Sequence, residues 1–273
     1  MNLALDTPPV AIPKAEIFRL ALAGVSKSYG SLTAVKDVSL SIRRGEFLSL
    51  LGPSGCGKTT ILQLLAGFEK PDSGRVLMDG HPISGAGPDR LVIFQEPALL
   101  PWLTVAENIG FGLPKHPRPL HDETVGLLLR LVHLDRFGHL RPHQLSGGMK
   151  QRAALARALA VDPQVLLMDE PFASLDPQTR ELLHLDLQRL WLGLHKTVVF
   201  VTHSVEEAVR LSDRIAIMAT QPGRIRRVLD VNLLHPRDFN SPEVAELRAA
   251  IREEMQDEMT KLARREGDEG WRP

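Results

Sequence analysis

The chain has 273 residues, enough to bury the core of one large α/β domain. Lysine and arginine number 33, as do aspartate and glutamate, so no charge excess draws the chain to a nucleic-acid backbone. The single cysteine, Cys56, excludes an internal disulfide and is expected to be a small loop residue rather than a nucleophile. No apolar run approaches the roughly 18 residues that span a bilayer, so any membrane role acts through a partner.

The N-terminal part predicts a leader followed by β structure. Residues 1–17 carry three prolines and no basic cluster before an apolar run, so they are expected to form a flexible leader rather than a secretory signal. Residues 17–23 and 35–42 mix apolar and polar side chains as antiparallel strands do, and the turn-like segment 29–31 lies between them. We therefore predict an antiparallel β subdomain at the start of the folded region.

A strand, a glycine-rich loop and a helix come next. The apolar run 46–51 leads into the loop 52–57, and residues 58–68 have a helical pattern. Each of the later short apolar runs adjoins a helical segment; these runs are residues 91–94, 165–168, 197–201 and 215–218. Such alternation predicts a mostly parallel α/β core sheet.

Helical patterns fill the remaining segments. The strand runs stop between residues 95 and 145, which predicts an inserted helical subdomain at about 96–160. Residues 233–273 are expected to form a C-terminal helical extension, with crowded charges from residue 242 onward. One apolar stripe is assigned to core packing, and its members are Leu183, Leu187, Leu190, Trp191 and Leu194.

Residues 52–59 match the phosphate-loop pattern in the strand-to-helix context that it requires. Glycines let backbone amides turn toward phosphates, and the helix N-terminus adds partial positive charge. We expect Lys58 to reach the β- and γ-phosphates and Thr59 to hold Mg²⁺. Thr60 is expected to donate to the α-phosphate, with a helix-start role as the alternative. The nucleotide-binding residues predicted here are Gly52, Pro53, Ser54, Gly55, Cys56, Gly57, Lys58, Thr59 and Thr60.

Two carboxylates follow the buried run 165–168, at the end of a strand where parallel sheets place their active sites. Asp169 is predicted to serve Mg²⁺ through its water shell, because a hard cation prefers oxygen ligands. Glu170 is then the general base. Taken alone, such a pair could also be an ordinary solvated strand end. The presence of the phosphate loop in the same chain favours the catalytic interpretation.

A second glycine-containing helix start lies at Ser146, Gly147 and Gly148, before an alanine-rich helix. Its amides form another possible anion site. One ATP cannot easily occupy both loops, so a plain helix cap is the alternative interpretation from the residues alone.

With Gln95, residues 174–176 and His203, these motifs resemble in order and spacing the nucleotide-binding subunit of an ATP-binding cassette (ABC) transporter. The resemblance covers about residues 18–231. It implies a P-loop NTPase fold of the ABC-ATPase type over residues 18–232, with ATP and Mg²⁺ bound. It also implies head-to-tail pairing with a second copy, so that each ATP lies between one phosphate loop and the other copy's signature.

The resemblance assigns roles residue by residue. Tyr29 matches the aromatic side chain that stacks on adenine, and Asp176 matches a residue that crosses the interface between copies. Ser146, Gly147 and Gly148 match the signature that binds the opposite copy's γ-phosphate. The implied catalytic set is Glu170, His203, Gln95 and Lys58, and the implied metal set is Thr59, Gln95 and Asp169. In it, His203 contacts the γ-phosphate, while Gln95 senses Mg²⁺ and the attacking water and contacts the membrane partner.

Met149 and Ser204 depart from the residues most common at these positions in the family. Both are expected to be tolerated, because neither removes a phosphate ligand and Ser204 can cap the helix that follows it.

Segments 99–105, 145–149 and 235–243 resemble the nitrate, sulfonate and taurine importer branch, with bicarbonate, cyanate and a thiamine-precursor pyrimidine as alternative cargoes. That resemblance implies a bacterial importer, with this chain peripheral on the cytoplasmic face of the inner membrane. Its partners are then transmembrane permease subunits and, indirectly, a substrate-binding protein, with no nucleic acid. Trp102 has two interpretations, permease docking and core packing. The alternative functions are a soluble ABC ATPase of the repair or translation type and a non-hydrolysing regulatory module.

Overall fold

The computed structural model describes residues 18–113, 118–220 and 222–268. The expected leader, residues 1–17, lies outside the described residues. The strands are β1 (Phe18–Tyr29), β2 (Leu32–Arg43), β3 (Phe47–Leu51), β4 (Ser73–Met78), β5 (His81–Pro82), β6 (Arg90–Ile93), β7 (Val165–Asp169), β8 (Thr197–Thr202), β9 (Arg214–Ala219) and β10 (Arg224–Asp230). The α-helices are α1 (Lys58–Ala66), α2 (Val105–Gly110), α3 (Arg118–Leu131), α4 (Gly147–Ala160), α5 (Pro177–Leu194), α6 (Val205–Leu211) and α7 (Pro242–Asp268).

The first sheet is antiparallel and has the strand order β2-β1-β4-β5. The predicted antiparallel β subdomain is confirmed, although its strands are longer than expected. Strand β1 runs on to Tyr29, so the connection to β2 is only two residues long, and Gly30 in it has a φ of 58°. A tight turn with positive φ favours glycine at that position. Tyr29 therefore lies at a strand end beside the turn.

The second sheet has the order β10-β9-β3-β8-β7-β6, and all its neighbours are parallel except β10 with β9. The predicted, mostly parallel core sheet is confirmed. The sequence analysis did not predict the short strand β5, nor strands β4 and β10. Four of the seven residues of β10 are charged, and the first three residues of β4 are exposed, so neither segment has the apolar run of a buried strand.

The core lies on both faces of the parallel sheet. On one face, α1 and the inner side of the antiparallel sheet share a single apolar cluster with the central strands. On the other face, α5 packs against β3, β7 and β8, while α6 and α7 cover the β9 side. Helices α2, α3 and α4 have their own apolar cluster, which confirms the inserted helical subdomain. This layering leaves the carboxyl ends of the parallel strands open for a site.

Two exposed side chains differ from expectation. Leu194 was assigned to the buried stripe of α5, but it is 41% exposed because α5 ends there and His195 adopts a left-handed conformation. Leu183, Leu187 and Trp191 are buried as predicted. Trp102 is 66% exposed, so the core-packing interpretation of this residue is wrong.

Candidate nucleotide-binding site

The glycine-rich loop between β3 and α1 is held by close backbone packing. Gly57 has a φ of 90°, and a Cβ atom there would lie 2.6 Å from Val35 Cγ1 and 2.9 Å from the Ala34 carbonyl oxygen. A Cβ on Gly52 would lie 2.6 Å from the sulfur of Cys56. Larger side chains are therefore excluded from both positions. Burial raises the pKa of the Cys56 thiol, which keeps it protonated and poorly nucleophilic at neutral pH.

Lys58, the first residue of α1, is buried at the centre of the loop. Its Nζ donates to the carbonyl oxygens of Gly52 at 2.7 Å and Pro53 at 2.9 Å. The same ammonium is 3.8 Å from Glu170 Oε1. The loop therefore holds the Lys58 ammonium group beside the carboxylate of Glu170.

Thr59 and Asp169 meet across the cleft. Thr59 Oγ1 donates to Asp169 Oδ1 at 3.3 Å. Burial raises the pKa of Asp169 above its ordinary value, and the hydrogen bond from Thr59 opposes that shift. A hydroxyl, a carboxylate and the amide of Gln95 line this wall, a set of hard oxygen donors that suits Mg²⁺. The described part of the chain contains no group of three or more His, Cys, Asp or Glu placed to hold a metal.

Glu170 and His203 form a hydrogen-bonded pair. His203 Nδ1 lies 2.9 Å from Glu170 Oε2. Glu170 has a φ of 43°, and its amide donates to the carbonyl oxygen of Val201 at 3.1 Å. A non-glycine residue in this conformation costs about 1–3 kcal/mol, a strain that proteins retain mainly at functional sites. The strained turn places the carboxylate between Lys58 and His203.

Lys58, Thr59 and the Asp169–Glu170 pair line an open cleft of about 700 Å³, a volume typical of small-molecule sites. Four predicted phosphate-loop or catalytic residues are not among its lining residues: Gly52, Pro53, Cys56 and His203, the last of which is joined to the cleft through Glu170. The side chain of Tyr29 is at its rim, 42% exposed, with Lys27 Nζ 5.4 Å from the ring centroid. The sequence-predicted residues that line the cleft are Tyr29, Ser54, Gly55, Gly57, Lys58, Thr59, Thr60, Gln95, Asp169 and Glu170.

The signature residues lie on a different surface. Ser146 caps α4 by accepting the Met149 amide at 3.3 Å, and Asp176 caps α5 by accepting the Thr179 amide at 3.0 Å. The hydrogen bonds with Thr179 hold the pKa of Asp176 below its ordinary value. A Cβ on Gly148 would lie 2.4 Å from Thr179 Cγ2, so the two helix starts pack tightly together. Neither Ser146, Gly147, Gly148 nor Asp176 lines the cleft.

Sequence reasoning missed part of the cleft wall. Leu32, Thr33 and Ala34 line it beside Tyr29. Gly223 supports the phosphate loop from behind: its amide donates to Ala34 at 3.0 Å, and a Cβ there would lie 2.2 Å from the Cys56 carbonyl oxygen. The only signal in the sequence was a glycine in a short turn before β10, which does not indicate what the turn packs against.

Comparisons with known proteins identify the family. The sequence model described as "ABC transporter" matches residues 35–173. An uncharacterized ABC transporter ATP-binding protein of Methanocaldococcus jannaschii is 46% identical over 230 residues, which is 84% of this chain and 86% of the relative. A taurine import ATP-binding protein of Burkholderia pseudomallei is 50% identical over 74% of this chain and 79% of its own length. A nitrate import ATP-binding protein of Synechococcus elongatus is 44% identical over 80% and 83%.

Solved structures similar to this chain are also ABC proteins. A dimeric post-hydrolysis state of the ATP-binding cassette MJ0796, bound to ADP and Pi, superposes with a TM-score of 0.70 at 33% identity and covers 79% of this chain and all of that one. The cbiO1 protein of Clostridium perfringens, part of an ABC transporter complex, has a TM-score of 0.73 at 28% identity, covering 79% and 90%. No helix in the described ranges is long and apolar enough to cross a membrane. With its phosphate loop, Asp169–Glu170 pair and two-sheet architecture, the chain belongs to the ABC transporter family as an ATP-hydrolysing, ATP-binding subunit.

Proposed function

We propose that the chain hydrolyses ATP in the cleft to energise a bacterial importer, at the cytoplasmic face of the inner membrane, that carries nitrate, an aliphatic sulfonate or taurine. The observation that carries the catalytic part is the convergence of Lys58, Glu170 and His203 within hydrogen-bond or ion-pair distance. Thr59, Asp169 and Gln95 would hold Mg²⁺, which neutralises charge on the β- and γ-phosphates when bound. The cassette spans residues 18–232 in this proposal, followed by the extension 233–273.

Each catalytic residue has a separate task in the proposed mechanism. The Glu170 carboxylate accepts the proton of the attacking water, while His203 orients that carboxylate and contacts the γ-phosphate. Lys58 and the N-terminus of α1 stabilise the negative charge that develops on the phosphates. Tyr29 at the rim stacks on adenine and so fixes the far end of the nucleotide. Catalysis then consists mainly of positioning and electrostatic stabilisation.

The signature surface serves a second copy of the chain. Ser146 and the two glycines after it stand at the N-terminus of the 14-residue helix α4, where backbone amides and the helix dipole favour an anion. They lie outside this chain's cleft, so they are free to contact ATP held by another copy. The dimeric MJ0796 cassettes, which have the same fold, support pairing with a second copy.

A groove beside Gln95 fits the permease. It has a volume of about 280 Å³, lies between β6 and the helical subdomain, and is lined mostly by apolar residues. Phe94 and Phe111 line it with exposures of 45% and 68%, and Trp102 in the adjoining segment is also exposed. Arg157, another lining residue, donates to the Ala98 carbonyl oxygen at 2.9 Å. An apolar groove next to a cleft-lining glutamine would transmit a movement of the nucleotide site to a bound helix.

The partner assignment is tested by purifying the tagged chain from native membranes in mild detergent with ATP. Recovery of a multi-span permease supports the importer, whereas recovery of only ribosomal or DNA-repair proteins contradicts it. Trp102→Ala should sharply reduce permease recovery without changing ATP binding. Leu182→Ala is the matched control, because Leu182 is another exposed apolar residue, on α5, with 57% exposure against 66% for Trp102.

The cargo is identified with the recovered complex in lipid vesicles. Binding protein loaded with nitrate, taurine or an aliphatic sulfonate is added in turn, and phosphate release is measured. We expect stimulation by one of these three cargoes. Absence of phosphate release under every condition would instead favour a non-hydrolysing regulatory module.

A further inference from the structure

The connection between β8 and α6 holds His203 from both sides. The Thr202 hydroxyl donates to Glu207 Oε2 and accepts the Ser204 amide at 2.9 Å. The Ser204 hydroxyl in turn accepts the Glu207 amide at 3.3 Å, which confirms its expected role as the cap of α6. Both chain neighbours of His203 are therefore bonded to Glu207, Thr202 through the buried carboxylate and Ser204 through the backbone amide.

The same carboxylate reaches across to α5. His184 Nε2 lies 3.3 Å from Glu207 Oε1, and both side chains are almost fully buried. Burial opposes the charged form of Glu207, but the hydrogen bonds from His184 and Thr202 outweigh it and hold its pKa below the ordinary value. Glu207 is thus an ionised group inside the protein that accepts hydrogen bonds from two different elements.

Helix α5 also contacts the segment that follows Glu170. The His184 ring packs edge-on against Phe172, with ring centroids 5.0 Å apart. One turn earlier on the helix, Arg180 donates to the carbonyl oxygens of Phe172 at 3.2 Å and Leu175 at 2.7 Å. The network therefore joins the chain on the carboxyl side of Glu170 to the chain on both sides of His203.

A buried, hydrogen-bonded carboxylate is a costly way to fill a core, since apolar residues of similar volume are often equally or more stabilising. This one connects the two loops whose side chains meet at 2.9 Å in the cleft. We propose that Thr202, Glu207 and His184 are positioning residues that hold His203 Nδ1 against the Glu170 carboxylate in the geometry needed for hydrolysis. This inference rests on the proposed roles of Glu170 and His203.

The first test is Thr202→Val, which keeps the shape of the side chain and removes its hydroxyl. A misplacement of about 1 Å at a reacting centre costs on the order of 100-fold in rate, so we expect kcat for ATP to fall about 10- to 100-fold. KM for ATP and the affinity for ADP should change little, because Lys58 and Tyr29 are not displaced. Thr202→Ser restores the hydroxyl and should restore most of kcat.

A double-mutant cycle separates positioning from general stability. Thr202→Val is combined with His203→Ala, and hydrolysis is followed in single turnovers with excess protein, so that slow rates are resolved. If Thr202 acts through His203, the valine substitution has almost no further effect once the imidazole is absent. An equal loss of rate in both backgrounds, or a wild-type rate for Thr202→Val alone, overturns the inference.

The outcomes also distinguish this inference from the proposed function. Slow hydrolysis by His203→Ala beside normal hydrolysis by Thr202→Val contradicts only the positioning network. Normal hydrolysis by His203→Ala contradicts the assigned role of His203 and the inference with it. His184→Gln, which keeps a donor for Glu207, and His184→Leu, which does not, repeat the comparison from α5 if the valine variant does not fold. We expect the glutamine variant to retain far more kcat than the leucine variant at unchanged KM.

Discussion

Replacement of Glu170 by glutamine tests the centre of the proposed mechanism. The amide has the shape of the carboxylate and keeps one oxygen to accept the hydrogen bond from His203 Nδ1, which is 2.9 Å away. It has no negative charge and cannot accept a proton from water. The substitution therefore removes the base while it leaves the packing around it largely unchanged.

The expected magnitude follows from these contacts. General-base catalysis contributes about 10²- to 10⁴-fold, which is roughly 2.7–5.4 kcal/mol of barrier at about 1.36 kcal/mol per tenfold change. Lys58 also loses its attraction to a carboxylate 3.8 Å away, at most about 4 kcal/mol at an effective dielectric constant near 20 and less after solvation. Its two bonds to the loop carbonyls remain, so the ammonium stays available to phosphates. We expect ATP affinity to be unchanged or higher.

The assay measures phosphate release, binding of a fluorescent ATP analogue, and size on gel filtration with ATP. Glu170→Gln should bind the nucleotide, accumulate as a dimer and nearly stop turning over. Glu181→Gln is the matched control, because Glu181 is an exposed glutamate on α5, and it should behave as wild type. Hydrolysis by Glu170→Gln at close to the wild-type rate would refute the assignment of the base.

Three further substitutions test other parts of the molecule. Gly148→Ala places a methyl group against Thr179 and should lower hydrolysis at least about tenfold, because it displaces a residue predicted to contact the γ-phosphate. Nucleotide binding to the single chain should not weaken. Gly193→Ala is the control: the added methyl group meets no atom within 4 Å, and neither hydrolysis nor binding should change. Arg237 donates to four backbone carbonyls. Arg237→Met should therefore lower the free energy of unfolding by about 2–4 kcal/mol, which is measured as a lower Tm. Arg136→Met, at an exposed arginine, is the control and should leave Tm nearly unchanged. The depressed pKa of Glu207 gives stability that is present above the ordinary value of 4.5 and is lost as pH falls below it, so acid denaturation should be less steep in Glu207→Gln.

The predictable parts of the fold are those in which the structure of a short segment demands particular residue types within that segment. The phosphate loop needs glycines where a Cβ would collide, and the collision partners at Gly52 and Gly57 are 2.6 Å away. The central strands are mostly apolar because both of their faces are buried. The caps at Ser146 and Ser204 each accept from the backbone amide three residues further on, so they too can be predicted from the local sequence.

Edge strands and long-range contacts were not predictable in this way. Strand β10 is charged and half-exposed, so its pairing with β9 is decided by a neighbour rather than by its own pattern. Leu194 keeps the helical spacing of its stripe, but the helix ends at that residue and leaves the side chain in solvent. Ala34 and Gly223 form the wall behind the phosphate loop from positions about 190 residues apart, and no local pattern joins them.

The residues of the site differ in the same way in how far the sequence predicts them. The motifs predicted which side chains carry out the chemistry, because phosphate, Mg²⁺ and water each demand particular atoms. They did not predict what holds those atoms in place: Glu207 was an ordinary glutamate on an amphipathic helix and His184 an isolated histidine between leucines. Only the fold brings the two together in a buried pair 3.3 Å apart. A carboxylate buried at that cost, yet bonded to the residue before His203, is better explained by the geometry of the catalytic pair than by stability alone.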